Sequence, residues 1–291
     1  MRNSSNENVQ DSKGWDMAIK PKTDLFNLNL KEIWGYKDLM WLFIKRDFTA
    51  QYKQTVLGPL WHFIQPLFTT IVFLVVFGKI AKIPTDGIEP AVFYMCGITI
   101  WNYFVSCLSG TSNTFVSNAA IFGKVYFPRL VIPISTVLSN IVKFLIQLGL
   151  LLSVMTYFWF KNGHFYFGWS WLLIPFLVIL MALLGLGLGI IISSLTTKYR
   201  DFTVLIGFAI QLLMYATPVI YPLSFFNNSK YRVFIEWNPL TPIVEGFRYS
   251  ILGVGTFRVE DLIYSSVVTL AMLFLGILMF NHIEKSFMDT V

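Results

Sequence analysis

The chain has 291 residues, of which 55% are hydrophobic and 13% charged, with a mean hydropathy of +0.63. Soluble domains carry about 25% charged residues, so the composition excludes one and points to a membrane protein. The net charge of +6 does not signal nucleic acid, because the cations lie between apolar runs rather than on one soluble face.

Residues 1–28 read as a polar cytoplasmic arm. No apolar core follows its charges, so it is not expected to be a secretory signal peptide. Residues 29–291 are expected to form a single all-α transmembrane domain. Its first element is a helix over Asn29–Lys53, with Leu30, Ile33, Trp34, Trp41, Ile44 and Phe48 roughly on one face. The run Leu39–Ile44 is apolar all round but too short to cross a bilayer. The helix is therefore expected to be an interfacial amphipathic helix at the inner membrane surface, with packing on the protein's own spans as the alternative.

The most informative stretch follows, RDFTAQYKQTVLGPLWHFIQPL over residues 46–67. Charged and amide side chains (Arg46, Asp47, Gln51, Lys53, Gln54) give way at Gly58-Pro59 to the rings of Trp61, Phe63 and Phe68. By physics alone this is a cationic collar at a membrane entrance, and topology anchoring accounts for its charges equally well. The order RDF, YKQTVLGPLW, QPL resembles the corresponding segment in permease subunits of polysaccharide ABC exporters, the O-antigen and teichoic-acid exporter family. The likeness extends over most of the chain.

Six apolar spans are expected: Leu60–Phe77, Ala91–Val116, Ile134–Phe160, Trp171–Leu195, Phe202–Ile220 and Leu262–Phe280. An even number puts both termini on one side. With the N-terminus inside, 14 lysines and arginines fall in inner segments and seven in outer ones, which favours cytoplasmic termini. Lys143, near the start of the third span, either snorkels to the inner surface or touches substrate. Gly185, Gly187 and Gly189 in the fourth span suit close helix packing.

The second inner connection carries Gly123, Lys124, Val125, Tyr126, Phe127, Pro128 and Arg129, a short charged and aromatic element. Such residues suit a protein contact or a membrane anchor. The resemblance favours the contact, since the family's coupling helix lies here, and Thr196–Asp201 resembles its matching loop. Between Tyr221 and Asp261 the chain is too apolar for a plain loop and too broken for a span. Glu236, Asn238, Pro239 and Pro242 precede a helical-looking Ile243–Leu252, within which Glu245 and Arg248 are spaced to pair. Re-entrant or interfacial helices capping the outer mouth are expected, and the resemblance implies gate helices at this position.

No phosphate loop, nucleophile elbow or metalloprotease motif occurs, and no pair of acids lies inside a span. His62, His164 and His282 are scattered, so no metal site is expected. Cys96 and Cys107 are about 16 Å apart along one helix, too far for a disulfide. No catalytic residue and no cofactor is assigned to this chain. The resemblance implies a homodimer of permeases in a bacterial cytoplasmic membrane, joined by two copies of a separate ATPase that binds ATP and magnesium. The implied cargo is a glycan on a polyprenyl diphosphate lipid. Candidate sugar-stacking rings are Tyr52, Trp61, Phe63, Phe68, Tyr94, Trp101, Tyr103 and Phe104, each of which also suits interfacial anchoring. Lys45, Arg46 and Lys53 are candidate partners of the lipid phosphates or of anionic headgroups. Alternatives at this stage are a drug or lipid permease, a membrane enzyme acting on lipid-linked sugars, or a passive channel.

Overall fold

The computed structural model describes residues 30–287 apart from 54, 56, 123, 126, 163–167 and 199–200. Among these, every regular element is a helix. The polar arm 1–28 lies outside the described residues.

Helix α1 (Leu30–Gly35) and α2 (Lys37–Tyr52) lead into the membrane part. They bury Ile33 and Phe43 in a small apolar cluster with Phe122, Phe127, Val131, Ile190 and Phe280. Trp34, Trp41 and Leu42 stay exposed. The segment therefore packs on the protein's own helices and still presents an apolar face, which suits the headgroup boundary.

A 3-10 turn at Gly58–Leu60 opens α3 (Trp61–Phe73), which continues as a π-helical stretch, Leu74–Ile80. Gly58 enters at φ +44, a left-handed conformation that glycine adopts without a Cβ clash. Pro66 sits inside α3 and donates no backbone bond, and the Thr70 hydroxyl donates to its carbonyl at 2.7 Å. Leu67, Phe68, Ile71, Val72, Val75 and Val76 are all exposed, so α3 has little protein around it.

Helix α4 (Pro90–Ser112) is the central one. It starts with proline at its first position and packs against α3, α6, α7, α8 and α10, given below. Asn113, at φ −109 and ψ 15, separates it from the short α5 (Thr114–Phe122). Helix α6 (Val131–Asn162) has 32 residues, or about 48 Å at 1.5 Å per residue. That exceeds a hydrocarbon core of about 30 Å. Its two cations, Lys143 and Lys161, are eighteen residues apart, and the intervening apolar length of about 27 Å nearly matches that core.

A 3-10 turn at Trp169–Leu172 leads into α7 (Leu173–Lys198). Its glycines are divided between two neighbours. A Cβ on Gly185 would meet Cys107 Cβ of α4 at 2.9 Å, and one on Gly189 would meet Thr111 Cβ of α4 at 2.7 Å. A Cβ on Gly187 would meet the Leu273 backbone at 2.9 Å, on the last helix, α11 (Val259–Phe287). Because 3.6 residues make a turn, alternate positions point to different sides, and both contacts are backbone-close.

Helix α8 (Phe202–Tyr215) is shorter than expected. The apolar composition runs on to Ile220, but the helix ends after 14 residues, about 21 Å, too short to cross alone. Pro218 accounts for the break, since proline disfavours helix in the residue before it. A 3-10 turn (Leu223–Phe226), α9 (Arg232–Glu236) and the buried α10 (Leu240–Leu252) follow before α11. Gly253, at φ +72, caps α10 by donating its N–H to the Tyr249 carbonyl at 3.0 Å. Among the described residues, five helices are long and apolar enough to cross a membrane, against the six spans expected: Trp61–Ile80, Pro90–Ser112, Val131–Lys161, Trp169–Thr196 and Val259–Ile283.

Candidate functional site

Near the end of α2, ahead of α3, Arg46 folds back on its neighbour. Its Nε donates to Asp47 Oδ1 at 2.9 Å and a terminal nitrogen donates to the same oxygen at 2.8 Å. The guanidinium also lies 4.7 Å from the centre of the Phe43 ring. Lys45 is exposed on the same helix, and Lys53 is exposed just past its end. Two further residues belong to this place, Lys143, whose alternatives were snorkelling or a substrate contact, and His62, which sequence reasoning did not connect to it. Lys143 of α6 lies within electrostatic reach of Asp47, and His62 of α3 within reach of Lys143. Helices α2, α3 and α6 thus converge on a mixed-charge cluster. A lysine inside an otherwise apolar span was the only signal that could have found it.

The candidate rings fall into two groups. Trp61 and Phe68 are 52% and 64% exposed on α3, and Phe63 is half-buried between them. Tyr94, Trp101, Tyr103 and Phe104 are enclosed in the protomer core. Tyr94 meets Phe73 and Phe93 edge-on, Trp101 packs on Phe104, and Tyr103 packs on Phe144. None of these four α4 rings presents a face to an open surface of the protomer. The Tyr52 side chain lies outside the described residues.

The connection between α5 and α6 is also divided. Lys124 and Val125 are exposed at its tip, whereas Phe127, Pro128 and Arg129 are buried. Arg129 stacks over the Phe122 ring at 5.3 Å, and Phe127 meets Phe43 of α2 with ring centres 5.8 Å apart. The N-terminal helix and the connection are therefore one packed unit, and force applied to the tip would pass into α2, α6 and α11. Gly123 and Tyr126 lie outside the described residues. So do Tyr199 and Arg200 of the third inner connection.

The segment between α8 and α11 holds the densest polar site. Glu245 and Arg248 of α10 form a buried ion pair one turn apart. Arg248 also donates to the Pro218 carbonyl at 2.7 Å and the Val219 carbonyl at 3.3 Å, and lies 4.1 Å from the Phe93 ring centre. Glu245 accepts from the backbone N–H of Leu223 and of Thr256, both at 3.3 Å. Burial pushes the Glu245 carboxyl above the usual carboxylate range, against the pull of Arg248 and the two N–H donors. One pair thereby ties α10 to the unwound end of α8, to α4 and to the turn before α11. Buried backbone that gives up its helix needs such partners. Nearby, burial pushes the Tyr221 hydroxyl up to about 12, which keeps it a donor to the Tyr215 carbonyl at 2.8 Å.

The remaining candidate gate residues of the sequence form a second small network in the same segment. Glu236 pairs with Arg232 at 2.7 Å. The Asn238 amide donates to the Ala216 carbonyl at 3.1 Å and the Thr217 hydroxyl at 2.9 Å, while its oxygen accepts from the Leu240 N–H. Pro239 starts α10, its carbonyl accepting from the Ser265 hydroxyl at 2.6 Å, and Pro242 is buried in the helix's first turn. Asn238 and Arg248 thus grip the same unwound segment from two sides.

Among the described residues, no group of histidine, cysteine, aspartate or glutamate could hold a metal ion, and Cys96 and Cys107 are buried free thiols. What these sites can do is hold an anion, transmit force and fasten irregular backbone.

Comparison with known proteins finds relatives along nearly the whole chain. Two O-antigen export system permease proteins RfbA of Klebsiella pneumoniae are similar. One is 28% identical, covering 94% of this chain and 99% of the relative, and the other is 26% identical, covering 90% and 99%. The polysialic acid transport protein KpsM of Escherichia coli is 22% identical, covering 84% of this chain and 93% of its own length. Residues 38–252, from the start of α2 to the end of α10, match the ABC-2 type transporter family, and the chain belongs to that family.

Proposed function

We propose that this chain is the permease subunit of an ABC exporter that carries a lipid-linked polysaccharide across the bacterial cytoplasmic membrane. The observation that carries the reading is near full-length similarity to permeases named for O-antigen and polysialic acid export, within a family match that spans α2 to α10. The cargo is a glycan of the O-antigen, capsule or teichoic-acid kind on a polyprenyl diphosphate. Work comes from a separate ATPase that holds ATP and magnesium, and this chain acts as conduit rather than enzyme. Two permeases and two ATPases make the transporter, with the path between the permeases.

In this reading both termini are cytoplasmic. Helix α8 and its unwound continuation together complete a sixth crossing, held by Arg248. The ATPase docks at the exposed tip Lys124-Val125 and on the packed unit behind it. Sugar rings pass over exposed aromatic faces such as Trp61 and Phe68, and the lipid phosphate meets the cations at the head of α3.

Reconstitution tests this. Permease and cognate ATPase together in proteoliposomes should move glycan in an ATP-dependent way, and an ATPase unable to hydrolyse should abolish it. Export or nucleotide turnover by the permease alone would refute the division of labour.

A further inference from the structure

The loop of residues 81–89 joins the π-helical end of α3 to α4. Lys82 and Asp86, at φ +51 and +50, are the two non-glycine residues with left-handed backbone among the described residues, and both lie in this loop. Each has a local cause. Lys82 stands where a helix end usually takes glycine, and the Ile83 N–H beyond it donates back to the Phe77 carbonyl at 2.9 Å. Asp86 and Gly87, at φ +50 and +80, are the central residues of a tight turn. The Ile88 N–H donates to the Thr85 carbonyl at 3.0 Å, and the Thr85 hydroxyl donates to the Ile88 carbonyl at 2.6 Å. Positive φ at both centres, filled by Asp-Gly, is the signature of a type I′ turn. The Asp86 carboxylate is therefore presented from a stiff mount at the end of α3. Its Oδ1 accepts from the Ser224 hydroxyl at 2.7 Å, 138 residues further along the chain. Ser224 belongs to the 3-10 turn Leu223–Phe226, whose first N–H donates to Glu245 of α10 at 3.3 Å. Two carboxylates thus hold this turn. The Glu245 bond is buried and the Asp86 bond is exposed, so water replaces the second at little cost.

The reading above runs the cargo along the exposed face of α3 from Trp61, and the Leu223–Phe226 turn is fastened at the opposite end of that helix. Resting on that reading, we propose that Asp86 is a positioning residue: it latches the Leu223–Phe226 turn across the exit end of the path, and glycan that displaces α3 opens the latch. The Lys82 cap and the Thr85–Ile88 turn tie Asp86 to α3, so the carboxylate follows the helix. A shift of about 1 Å takes this O–H···O contact beyond hydrogen-bonding distance. The buried Glu245 keeps the start of the turn in place, so the turn swings rather than unravels, and the exposed ring of Phe225 moves with it. Both freed groups then meet water, which lets the latch close again once α3 returns. Neither Asp86 nor Ser224 is among the site residues assigned from the sequence.

The test uses the permease–ATPase complex in proteoliposomes and reads leak of a small trapped dye without ATP, ATP-dependent glycan export, and thermal unfolding. Asp86→Gly suits the backbone of the turn and removes the carboxylate, while Ser224→Ala removes the donor. Each should raise the leak about two- to tenfold, the scale of one hydrogen bond, and leave the unfolding temperature unchanged. The double variant should leak no more than either single one, because both break the same bond. Asp86→Asn keeps an acceptor and tolerates positive φ, so it should restore most of the closure. A leak equal to that of the unsubstituted complex in both single variants would overturn the latch, and so would additive leaks in the double variant. A raised leak that comes with a lower unfolding temperature and is not rescued by Asp86→Asn would reduce the loop to a structural role. Opening is tested with Asp86→Cys and Ser224→Cys joined by a short cleavable thiol reagent, the native Cys96 and Cys107 being buried. Export should stop on bridging and return on cleavage, and export at the unbridged rate would overturn the release step. If the unsubstituted complex exports no glycan while Asp86→Gly still leaks, the export reading falls and the latch stands.

Discussion

Arg248 and Glu245 stand one turn apart on α10, with side-chain exposures of 0% and 2%. Their ion pair shares its remaining hydrogen bonds among three other segments of chain. Removing one partner strands the other as a buried charge. Arg248→Met should lower stability by about 3–5 kcal/mol, whereas Arg248→Met combined with Glu245→Leu should cost less than the single change. Thermal unfolding of purified protein in one detergent measures both. Equal loss in the single and double variants would show that the carbonyl contacts of Arg248, rather than the pair, hold the site.

The glycines of α7 give a second expectation. Gly187→Ala would drive a Cβ to 2.9 Å from the Leu273 backbone, while Gly207→Ala on α8 meets nothing within 4 Å. The first should destabilise by about 1–3 kcal/mol through overpacking. The second should be neutral or stabilise by up to about 1 kcal/mol, the helix preference of alanine over glycine. The same melting experiment separates them.

At the inner tip, Lys124→Glu together with Val125→Asp should reduce co-purification of the ATPase severalfold and leave the melting temperature unchanged, because both side chains are exposed. Arg129→Ala should lower the melting temperature instead, since it uncovers a buried cluster and removes the contact over Phe122. If the tip variant binds its ATPase normally, the docking surface lies elsewhere.

The rings separate in the same way. Trp61→Ala and Phe68→Ala should reduce glycan export with little change in stability. Trp101→Ala and Phe104→Ala should each cost about 3–5 kcal/mol, because they empty the packed core. Export assays in vesicles, normalised to folded protein, distinguish a wall of the path from a packing residue.

Much of the architecture was legible in the sequence. The apolar stretches of α3, α4, α6, α7 and α11 are long enough to declare themselves by hydropathy, and prolines marked the broken outer segment. The end of α8 was not legible in the same way. Composition stays apolar through Ile220, while Pro218 stops the helix and Arg248, thirty residues on, meets the freed carbonyls. Nor could the sequence say which rings of α4 face outward. That helix is apolar all round, so its pattern marks no face, and its neighbours enclose Tyr94 and Phe104. Asp47 and Lys143 are linked only by the packing of α2 along α6, which no local spacing encodes.

The distance between Lys143 and Lys161 makes α6 a caliper for its surroundings. A thicker membrane would drag both ammonium groups toward oil unless the helix stood more upright, and a thinner one would let it lean. Because α2 packs along α6, any such lean would also swing Asp47 and Arg46, so that the exposure of this charged pair would follow the lipid composition of the host bilayer.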